Sequence, residues 1–494
     1  MRQEATSLMI LKRCSLTVVC FFILVYGCTF TALASSYTKP RIIVTTDITN
    51  EPDDQQSMIR LLVYANNYDI EGLIGSTGIW KLSDPATDVI HECIDAYGLV
   101  RGNLVQHDKD YPTEQQLHDI TKTGNRGYGM SAIGERGSEG ANLIISAVDK
   151  DDPRPVWLLA WGGANTIAQA IWTVRETRSP EELEEFLDKI RVYDLAGQDD
   201  AGAWMAKTFP GLFIIRNVLT YKGMSQRYSS EEWDHTRGGD ESVVTREWVK
   251  KNIQSGHGPL GALYPDAWHI WEGDTPTFFY SMPNGLNDPE QHWQGSWGGR
   301  FSREKEKNVN ILVQEYAGAD CKKGCWVNEK PYLDYWVYAD AEDHWEYEDK
   351  KYNNRWCTIF RWRTDFQNDF EARMDWCVMD FKNANHNPVA VINGDETRNV
   401  IYMEVTPGSR FSIESSDSSD PDGDELSYHW WIYPEAGTYD NEVVIKKDTS
   451  PKTSIQIPKD AAGKTIHVIL TLRDNGSPQL TSYRRIVVTG TIQQ

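Results

Sequence analysis

The pattern of apolar and polar positions divides the chain into two main parts. From residue 38 to about residue 310, short apolar runs of strand length alternate with stretches whose apolar residues recur at helical spacing. This alternation predicts a mostly parallel sheet covered by helices on both faces, a doubly wound α/β fold. The predicted strands are Arg41–Thr46, Ile70–Thr77, Val156–Ala160, Ile190–Leu195 and Leu212–Arg216. The predicted helices are Gln55–Asn66, Asp84–Tyr97, Asn142–Val148, Asn165–Thr173 and Pro180–Asp188.

The pattern changes in the last third of the chain. Residues 311–385 are rich in aromatic and acidic residues, and we expect an irregular extension packed against the α/β core. Beyond a polar segment at residues 383–389, short strand-like runs alternate with turn residues, which predicts an all-β, immunoglobulin-like sandwich. The runs are Arg410–Ile413, Leu426–Ile432, Ser454–Ile457, Thr465–Leu472 and Ser482–Val488.

The first residues have the features of a secretory signal peptide. Lys12 and Arg13 precede an apolar run at residues 16–24, and Ala32-Leu-Ala provides a cleavage site of small residues. The apolar run is too short for a typical membrane-spanning helix, so we expect a secreted, extracellular protein. The expected organisation is a signal peptide at residues 1–34, an α/β domain at residues 38–385 and a β-sandwich at residues 386–494.

The chain is acidic, with a formal net charge of -22 at pH 7. This charge argues against nucleic-acid polymers and anionic membranes as partners, because both are negatively charged. It suits an extracellular protein that acts on a neutral ligand. The sequence leaves the oligomeric state open.

Five cysteines follow the predicted signal peptide. Cys321 and Cys325 are close in sequence, and in an oxidising compartment they are expected to form a disulfide. A zinc knuckle is not expected, because no histidine cluster accompanies these cysteines. Cys357 and Cys377 form a possible second bridge, which would leave Cys93 free, although the sequence does not fix the pairing.

Three carboxylates lie where the first predicted strand gives way to the first helix. Asp47 follows the strand, and Asp53 and Asp54 fall in the first helical turn. Ligands of open α/β sheets bind beyond the carboxyl ends of the strands. Crowded carboxylates repel one another unless a cation holds them, and Ca²⁺ accepts several oxygens in flexible geometry. A helix-capping cluster is the other interpretation, since acidic residues are favoured at helix N-termini.

This segment resembles the N-terminal signature of nucleoside hydrolases, Asp-x-Asp-Pro-Gly-x-Asp-Asp, which places Ca²⁺ at the bottom of a ribose pocket. Asp47 matches the second Asp, and Asp53 and Asp54 match the final pair. Thr45 stands in place of the first Asp, and the loop between is two residues longer. The chain resembles a secreted nucleoside-hydrolase-like family, many of whose members are labelled cellulose-binding. The resemblance implies a nucleoside-hydrolase-like α/β domain.

Other segments resemble the family in the expected order. Gly72–Gly78 is similar to its second strand and turn. Val156–Ala168 is similar to a segment in which a main-chain carbonyl binds the metal, and that carbonyl corresponds to Trp161 here. Asn287-Asp288-Pro289 is similar to a late His-Asp-Pro whose Asp completes the coordination shell. The resemblance therefore implies a calcium site formed by Asp47, Asp54, Asp288 and the carbonyl of Trp161.

The resemblance also implies a mechanism. Asp53 would accept a hydrogen bond from a sugar hydroxyl. The metal would hold and acidify a water, and Asp47 would take its proton as general base. The water would attack an anomeric carbon through an oxocarbenium-like transition state that nearby carboxylates stabilise. For Asp288, an ordinary Asx-Pro turn is the competing interpretation.

Two further positions depart from the family. Asn287 stands where nucleoside hydrolases often have a His that assists the leaving base, and Asn has no titratable proton at neutral pH. Ile79 replaces a sugar-binding Asn beside Trp80. Both departures argue against nucleosides as the substrate, and Asn287 is retained only as a candidate substrate-binding residue. A sugar ring stacked on Trp80 and Trp161 is expected, with core packing as the competing explanation.

Two further groups of polar residues are expected at the same crevice. Gln198 and Asp199 follow the fourth predicted strand, roughly where the family has a sugar-binding segment, and both are candidate substrate-binding residues. Helix capping explains Asp199 equally well. The loops that carry Asp274 and Arg300 flank Asp288, and we expect them to rim the crevice, where Asp274 or Arg300 can contact a ligand.

An acidic loop at Asp417–Asp424 resembles the Ser-Asp-Pro-Asp-Gly-Asp loop of PKD and cadherin-like modules. This resemblance implies that the C-terminal domain is a cadherin/PKD-like sandwich. Loops of this kind can bind Ca²⁺, but Asp and Gly are also the ordinary residues of tight turns.

Two functions from different classes are consistent with the sequence. The first is a secreted, Ca²⁺-dependent hydrolase of glycosyl bonds that acts on a carbohydrate or another glycoside. The second is a non-catalytic protein that binds carbohydrate, such as cellulose, on the same fold. The intact carboxylates favour the hydrolase, because a pure binding protein has little need for a buried metal that activates water. Asn287 and Ile79 favour lost or redirected activity.

Overall fold

An eight-stranded sheet lies at the centre of the N-terminal part of this computed structural model. The structure describes residues 39–49, 51–134, 137–224, 238–266, 271–308 and 332–492. The strands are β1 (Arg41–Thr46), β2 (Asp69–Gly75), β3 (Thr121–Thr123), β4 (Val156–Ala160), β5 (Ile190–Leu195), β6 (Phe213–Asn217), β7 (Phe301–Glu306) and β8 (Tyr335–Asp340). Their order is β3-β2-β1-β4-β5-β6-β8-β7. All neighbours pair in parallel except β7 and β8, which are antiparallel.

Helices cover both faces of this sheet. They are α1 (Pro52–Val63), α2 (Thr87–His107), α3 (Glu114–Asp119), α4 (Glu139–Val148), α5 (Asn165–Thr177), α6 (Pro180–Asp188), α7 (Ala201–Thr208), α8 (Arg246–Val249), α9 (Gly258–Leu263) and α10 (Pro276–Phe279). Successive side chains of β1 enter different cores, since Ile42 and Val44 pack with residues of α1 and α2, and Ile43 packs with residues of α4 and α5. The predicted doubly wound, mostly parallel fold is confirmed.

Most predicted elements agree with the structure, and the main difference is the length of α2. Strands β1, β4 and β5 and helix α6 have the predicted bounds. Helix α2 continues to His107, beyond the predicted end at Tyr97. Val100 and Leu104 continue its buried face at helical spacing, which explains the extension.

The expected irregular extension at residues 311–385 is wrong for its described part. Strand β8 joins the central sheet, and a hairpin and two helices follow it. These elements are β9 (Asp343–Tyr347), β10 (Lys350–Asn354), α11 (Cys357–Phe360) and α12 (Arg363–Trp376). Helix α12 buries charged as well as apolar residues, including Arg363, Asp369 and Arg373. Its sequence therefore lacks the apolar stripe by which a helix is recognised.

The C-terminal residues form two facing sheets, as predicted. The strands are β11 (Ile401–Val405), β12 (Arg410–Glu414), β13 (Ser427–Ile432), β14 (Val444–Lys446), β15 (Lys452–Gln456), β16 (Thr465–Arg473) and β17 (Thr481–Gly490). One sheet has the order β11-β17-β16-β13 and the other the order β12-β15-β14. Trp430, Ile455, Leu470 and Val488 are among the residues of the core between them.

The sandwich packs directly on the α/β part, and the described residues of both belong to one compact unit. Tyr433 of the sandwich donates a hydrogen bond to Asp343, which also binds Arg300 and Arg361. Tyr433 belongs to the same apolar cluster as residues of α1 and α2. The domain boundary between residues 385 and 386 stays a prediction, and the predicted signal peptide lies outside the described residues.

The predicted bridge between Cys357 and Cys377 is wrong, because both thiols are free. The Cys357 thiol contacts the carbonyl oxygens of Asp343 and Asn354 at 2.9 and 3.0 Å. Helix α12, 14 residues long, lies between the two cysteines and spans about 21 Å. A disulfide needs Cα atoms about 5.5–6 Å apart. Cys93 is free, as expected, and Cys321 and Cys325 lie outside the described residues.

Within the described residues, no helix combines the length and the apolar character that crossing a membrane requires.

Candidate functional site

Two adjoining elements position the first three carboxylates. Strand β1 is fully buried and ends at Thr46, so that Asp47 emerges at the carboxyl edge of the sheet. Helix α1 starts with Pro52, which suits a first helical position, and carries Asp53 and Asp54 in its first turn. The Thr46 hydroxyl donates a hydrogen bond to Asp54 Oδ1. The strand-loop-helix segment thus brings three acidic side chains to one edge of the sheet, as expected.

A fourth carboxylate, that of Asp274, completes the group. Oxygen atoms of Asp53, Asp54 and Asp274 all lie within 4.8 Å of one another. Asp274 stands in the turn before α10, where the Thr277 amide donates to its carbonyl oxygen at 3.0 Å. The loop that carries Asp274 was expected to rim the crevice and to offer Asp274 or Arg300 to a ligand, and the structure places the Asp274 carboxylate inside the acidic group.

Main chain closes tightly around the Asp47 carboxylate. A Cβ atom built on Gly78 would lie 2.2 Å from Asp47 Oδ2, and one built on Gly162 would lie 2.6 Å from Oδ1. Any side chain at either glycine would therefore displace the carboxylate. The glycines that follow β2 and β4, the strands on either side of β1, thus hold Asp47 in one position.

Burial and mutual repulsion raise the pKa of all four carboxyl groups. Burial, followed by the charge of Glu51, raises the pKa of Asp47 to about 7. Burial and then Glu51 raise the pKa of Asp53, and burial and then Asp47 raise that of Asp54. For Asp274, burial acts first and Asp54 second. Four negative charges are therefore unfavourable together at this position.

The donor set fits a hard divalent cation. Asp47 Oδ2, Asp53 Oδ1 and Asp274 Oδ2 are buried without a hydrogen-bond partner among the described residues. A buried polar atom without a partner is costly, and a bound ion removes that cost. Carboxylate and carbonyl oxygens in irregular arrangement are typical ligands of Ca²⁺.

Gln198 and the main chain of Trp161 lie beside Asp47. The Gln198 side-chain amide donates to the Trp161 carbonyl at 2.5 Å. A Cβ atom built on Gly78 would lie 2.9 Å from Gln198 Oε1 and 2.2 Å from Asp47 Oδ2, so these two side chains are neighbours. The structure thus brings together the Trp161 carbonyl, Gln198 and Asp47, as the sequence argument expected.

Asp199 caps helices behind the carboxylate group. Its carboxylate accepts the amides of Asn165 at 3.0 Å and Ala201 at 2.9 Å, at the starts of α5 and α7. Burial, followed by the charge of Asp200, raises the pKa of Asp199 to about 8. These contacts correspond to the capping interpretation, and sugar binding by Asp199 stays a prediction.

The two tryptophans expected to stack on a sugar have different environments. The Trp161 indole is fully buried and donates to Thr277 Oγ1 at 2.7 Å, so it is a core residue and the expected stacking is wrong for it. Trp80 is half-buried, next to Lys81, whose ammonium donates to Thr49. Lys81 also lowers the pKa of Asp47, which places this segment at the mouth of the group. Stacking of a sugar ring on Trp80 stays a prediction.

The structure does not bring Asp288 or Asn287 into the acidic group. Asp288 accepts the amide of Glu290 at 3.0 Å and the hydroxyl of Tyr402 in the sandwich at 3.2 Å. Asn287 donates to the Tyr280 carbonyl at 3.0 Å. Asp274 therefore stands in the acidic group where Asp288 was expected, and Asp288 forms the Asx turn that was its competing interpretation. Asn287 lies with it, away from the group.

Arg300 does not reach the acidic group either. Its guanidinium binds Asp343 at 2.6 Å, at the contact with the sandwich. In the acidic loop of the sandwich, Asp420 accepts the amides of Asp422 and Asp424 at 2.8 and 3.1 Å. Asp422 also binds His386. These contacts are those of a tight turn and a local ion pair.

Comparisons with known proteins identify the family. A family model described as cellulose-binding Sde182, nucleoside hydrolase-like domain, matches residues 41–301. A second, described as cellulose-binding protein Sde0182, C-terminal domain, matches residues 410–490. None of the curated proteins compared with the chain matches it.

Solved structures include a relative that spans most of the chain. A nucleoside hydrolase-related hypothetical protein from Saccharophagus degradans, associated with carbohydrate metabolism, is 42% identical with a TM-score of 0.78, covering 92% of this chain and 100% of that one. The PKD domain from the KIAA 1837 protein is 18% identical with a TM-score of 0.15, covering 19% of this chain and 84% of that one. Domains EC1-3 of mouse clustered PcdhgC3 are 16% identical with a TM-score of 0.14, covering 21% and 33%. This chain belongs to the nucleoside hydrolase-like family of cellulose-binding Sde182 proteins.

Proposed function

We propose that this protein is an extracellular, calcium-dependent hydrolase of glycosyl bonds that acts on a carbohydrate or another glycoside. The observation that carries the proposal is the buried group of Asp53, Asp54 and Asp274, together with buried Asp47, whose charge adds to burial in raising the pKa of all three. Burying four carboxylates together is unfavourable unless a cation binds them. A surface that only holds sugars gains nothing from such a group, whereas a hydrolytic site does.

Four groups of the chain would hold the ion. They are the carboxylates of Asp47, Asp54 and Asp274 and the carbonyl of Trp161. When bound, a divalent cation neutralises part of the negative charge and activates water as a Lewis acid. Asp53 lies in the same group, and we assign its unpartnered Oδ1 to a sugar hydroxyl.

Asp47 is the proposed general base. Its Oδ2 has no hydrogen-bond partner among the described residues, and Gly78 and Gly162 hold its carboxylate in place. It would take a proton from the water that attacks the anomeric carbon, while the bond to the leaving group breaks. Positive charge that develops on the sugar would be stabilised by the neighbouring carboxylates.

In nucleoside hydrolases the residue before the late Asp is often a His that assists the leaving base. The residue before Asp274 therefore predicts which leaving groups are favoured. It is Gly273, which has no side chain to protonate a leaving group. We therefore expect the fastest turnover for glycosides whose leaving group is stable as an anion, such as aryl glycosides. Natural nucleosides, whose bases need protonation, should react more slowly.

Carbohydrate binding without catalysis is the second candidate, and exposed aromatic residues favour it. Trp293 and Trp336 are 41% and 44% exposed. The Tyr338 ring stacks on the His292 ring with 4.0 Å between their centroids, and Arg303 Cζ lies 5.2 Å from the centroid of the Trp336 ring. Aromatic faces of this kind bind the apolar faces of sugar rings. The family name supports cellulose as the carbohydrate and an extracellular location.

Turnover screening separates the two functions. Nucleosides and aryl glycosides are incubated with the full-length protein in the presence of Ca²⁺, and then with a chelator. We expect hydrolysis of at least one aryl glycoside, lost on chelation and restored by Ca²⁺. If no substrate is hydrolysed while wild type, but not the variant Trp293→Ala/Trp336→Ala, sediments with cellulose, the binding function is correct and the hydrolase proposal is wrong.

A further inference from the structure

A second group of possible metal ligands lies on the surface, between α2 and α3. The described part of the chain contains two groups in which at least three His, Cys, Asp or Glu side chains approach within 4.8 Å. One is the buried acidic group, and the other consists of Asp95, Glu114 and His118. A fourth residue, His91 of α2, lies beside this surface group. Helix α2 thus contributes His91 and Asp95, and helix α3 contributes Glu114 and His118. In each pair the residues are four positions apart, and such residues share one face of a helix.

The distances within this group match those between the ligands of one ion. His118 Nε2 lies 3.0 Å from Asp95 Oδ1 and 3.6 Å from Glu114 Oε1. In a tetrahedral zinc site, bonds of about 2.0–2.1 Å place neighbouring ligand atoms about 3.4 Å apart. The three atoms can therefore bind one ion with small side-chain movements. The His118 imidazole is 21% exposed and the carboxylates 65% and 48%, so that an ion has access from solvent.

A glycine in α2 makes room for one of these carboxylates. A Cβ built on Gly98 would lie 2.0 Å from Glu114 Oε2 and 2.5 Å from its Cδ. Glycine inside a helix is less stable than alanine. At Gly98 the missing side chain allows the Glu114 carboxylate to lie against the helix backbone, close to Asp95 and His118. Opposite it, a capping box formed by Thr113 and Gln116 fixes the start of α3.

A second histidine orients the first. The Nδ1 atoms of His91 and His118 are 2.7 Å apart, which requires one to donate a hydrogen bond to the other. Histidines that bind metals commonly donate their second ring N–H to a partner, and the partner fixes the tautomer. When His118 Nδ1 donates to His91, the lone pair of His118 Nε2 faces the two carboxylates. His91 is thus a positioning residue rather than a ligand.

The chemistry of the group selects the ion. An imidazole nitrogen with two carboxylate oxygens suits a borderline-soft transition metal, whereas Ca²⁺ and Mg²⁺ prefer all-oxygen sites. Two carboxylates and a neutral imidazole balance the charge of a divalent cation. A surface cavity of about 430 Å³, lined by Gly98, Arg101, Thr113, Glu114 and His118 among others, adjoins the group and leaves room for a water as fourth ligand.

We propose that Asp95, Glu114 and His118 form a zinc-binding site, with His91 as the residue that orients His118. The site is separate from the buried carboxylates and does not depend on the proposed hydrolase function. A bound zinc ion would join the short helix α3 to the long helix α2 at the outer edge of the sheet.

Calorimetric titration of the full-length, untagged protein with ZnCl₂ tests this site. We expect one zinc ion per chain, with affinity lowered at least about a hundredfold in His118→Ala. In His91→Ala the loss should be about tenfold to a hundredfold, as for other partners of metal-binding histidines. Co²⁺ bound to the site should give the visible absorption of a four-coordinate ion. A His118 that only forms ion pairs with the two carboxylates would give no such spectrum.

Two control variants locate the bound ion. His344→Ala removes a histidine that has one carboxylate neighbour, Glu435, and it should bind zinc as wild type does. Asp54→Ala should also bind zinc normally, since it alters only the buried acidic group. The proposal is wrong if wild type binds no zinc, or if His118→Ala, shown by circular dichroism to be folded, binds it with unchanged affinity and the same Co²⁺ spectrum.

Discussion

At the scale of single residues, the site depends on which aspartate completes the acidic group. Asp288 matches the family motif because Pro289 follows it directly, whereas one residue separates Asp274 from Pro276. Sequence spacing therefore favoured the wrong residue, although the loop of Asp274 was expected nearby. The packing of α10 against the core decides the position, and spacing does not reveal it. By contrast, Asp47, Asp53 and Asp54 lie in one strand-loop-helix segment, and the local sequence was enough to predict that they lie close together.

The pair Asp274→Asn and Asp288→Asn tests the fourth carboxylate. Removing the hydrogen-bond partner of a metal ligand typically lowers metal affinity roughly tenfold to hundredfold. Asp274→Asn should lower calcium affinity by more than this, because it removes the charge of a ligand itself. Asp288→Asn should bind calcium like wild type, since its carboxylate contacts Glu290 and Tyr402 instead. Calorimetric titration with CaCl₂ measures both. The reverse order of affinities would restore Asp288 as the ligand.

The variant Gly162→Ala tests whether close main-chain packing positions Asp47. The new Cβ would lie 2.6 Å from Asp47 Oδ1, and the short side chain of Asp47 has little room to move. We expect calcium affinity to fall at least about tenfold, as it does when residues that orient a metal ligand are mutated. Gly211→Ala is the control, because no atom lies within 4 Å of its added Cβ. Equal affinities in the two variants would show that this packing is unimportant.

At the scale of elements, a network of buried polar groups fastens the Asp274 loop to helix α1. The Glu272 carboxylate pairs with Arg60 and accepts the Tyr264 hydroxyl at 2.6 Å. The Glu272 amide donates to Gln56 at 2.9 Å. Helix α1 therefore carries Asp53 and Asp54 and also holds the loop of the fourth carboxylate. Periodicity predicted α1, but it does not show contacts between residues so far apart in the sequence.

The variant Glu272→Gln should destabilise the protein and weaken calcium binding together. It leaves the Arg60 guanidinium buried without its carboxylate, a change that typically costs about 3–5 kcal/mol. Urea unfolding in the presence of chelator measures the free energy of unfolding without the contribution of the ion. Glu176→Gln, at an exposed pair with Arg175, should change stability by less than about 1 kcal/mol. A Glu272→Gln variant as stable as this control would contradict the role of the network.

At the scale of the whole molecule, the sandwich and the α/β part share buried charged residues. Burial alone would raise the pKa of Asp343, but Arg361 and Arg300 together with the Tyr433 hydroxyl hold it below its ordinary value. Tyr433 comes from the sandwich, so that Asp343 links the two parts. The alternating pattern of the sequence predicted both folds. It did not predict their contact, because the charged residues that form it are typical of surfaces when read from sequence alone.

This pKa shift predicts a loss of stability in acid. Because the pKa of Asp343 is lower in the folded protein, its carboxylate contributes stability above the unfolded pKa of about 4 and loses that contribution as pH falls through the folded pKa. Asp343→Asn should therefore cost about 3–5 kcal/mol at pH 7 and less in acid. Urea unfolding at pH 7 and pH 3 measures the difference. If the cost of the substitution is the same at both pH values, the charged form of Asp343 does not stabilise the contact. Asp417→Asn, at an exposed position, serves as the control.

The central claim is that the buried acidic group hydrolyses a glycosyl bond with Asp47 as general base. The most direct test is the rate of hydrolysis of an aryl glycoside by wild type and by Asp47→Asn, both at saturating Ca²⁺. The amide keeps the size of the side chain but cannot accept a proton, so kcat should fall on the order of a hundredfold or more. Saturating Ca²⁺ separates this effect from weaker metal binding. If wild type hydrolyses the glycoside and Asp47→Asn is equally fast, the proposed role of Asp47 is wrong.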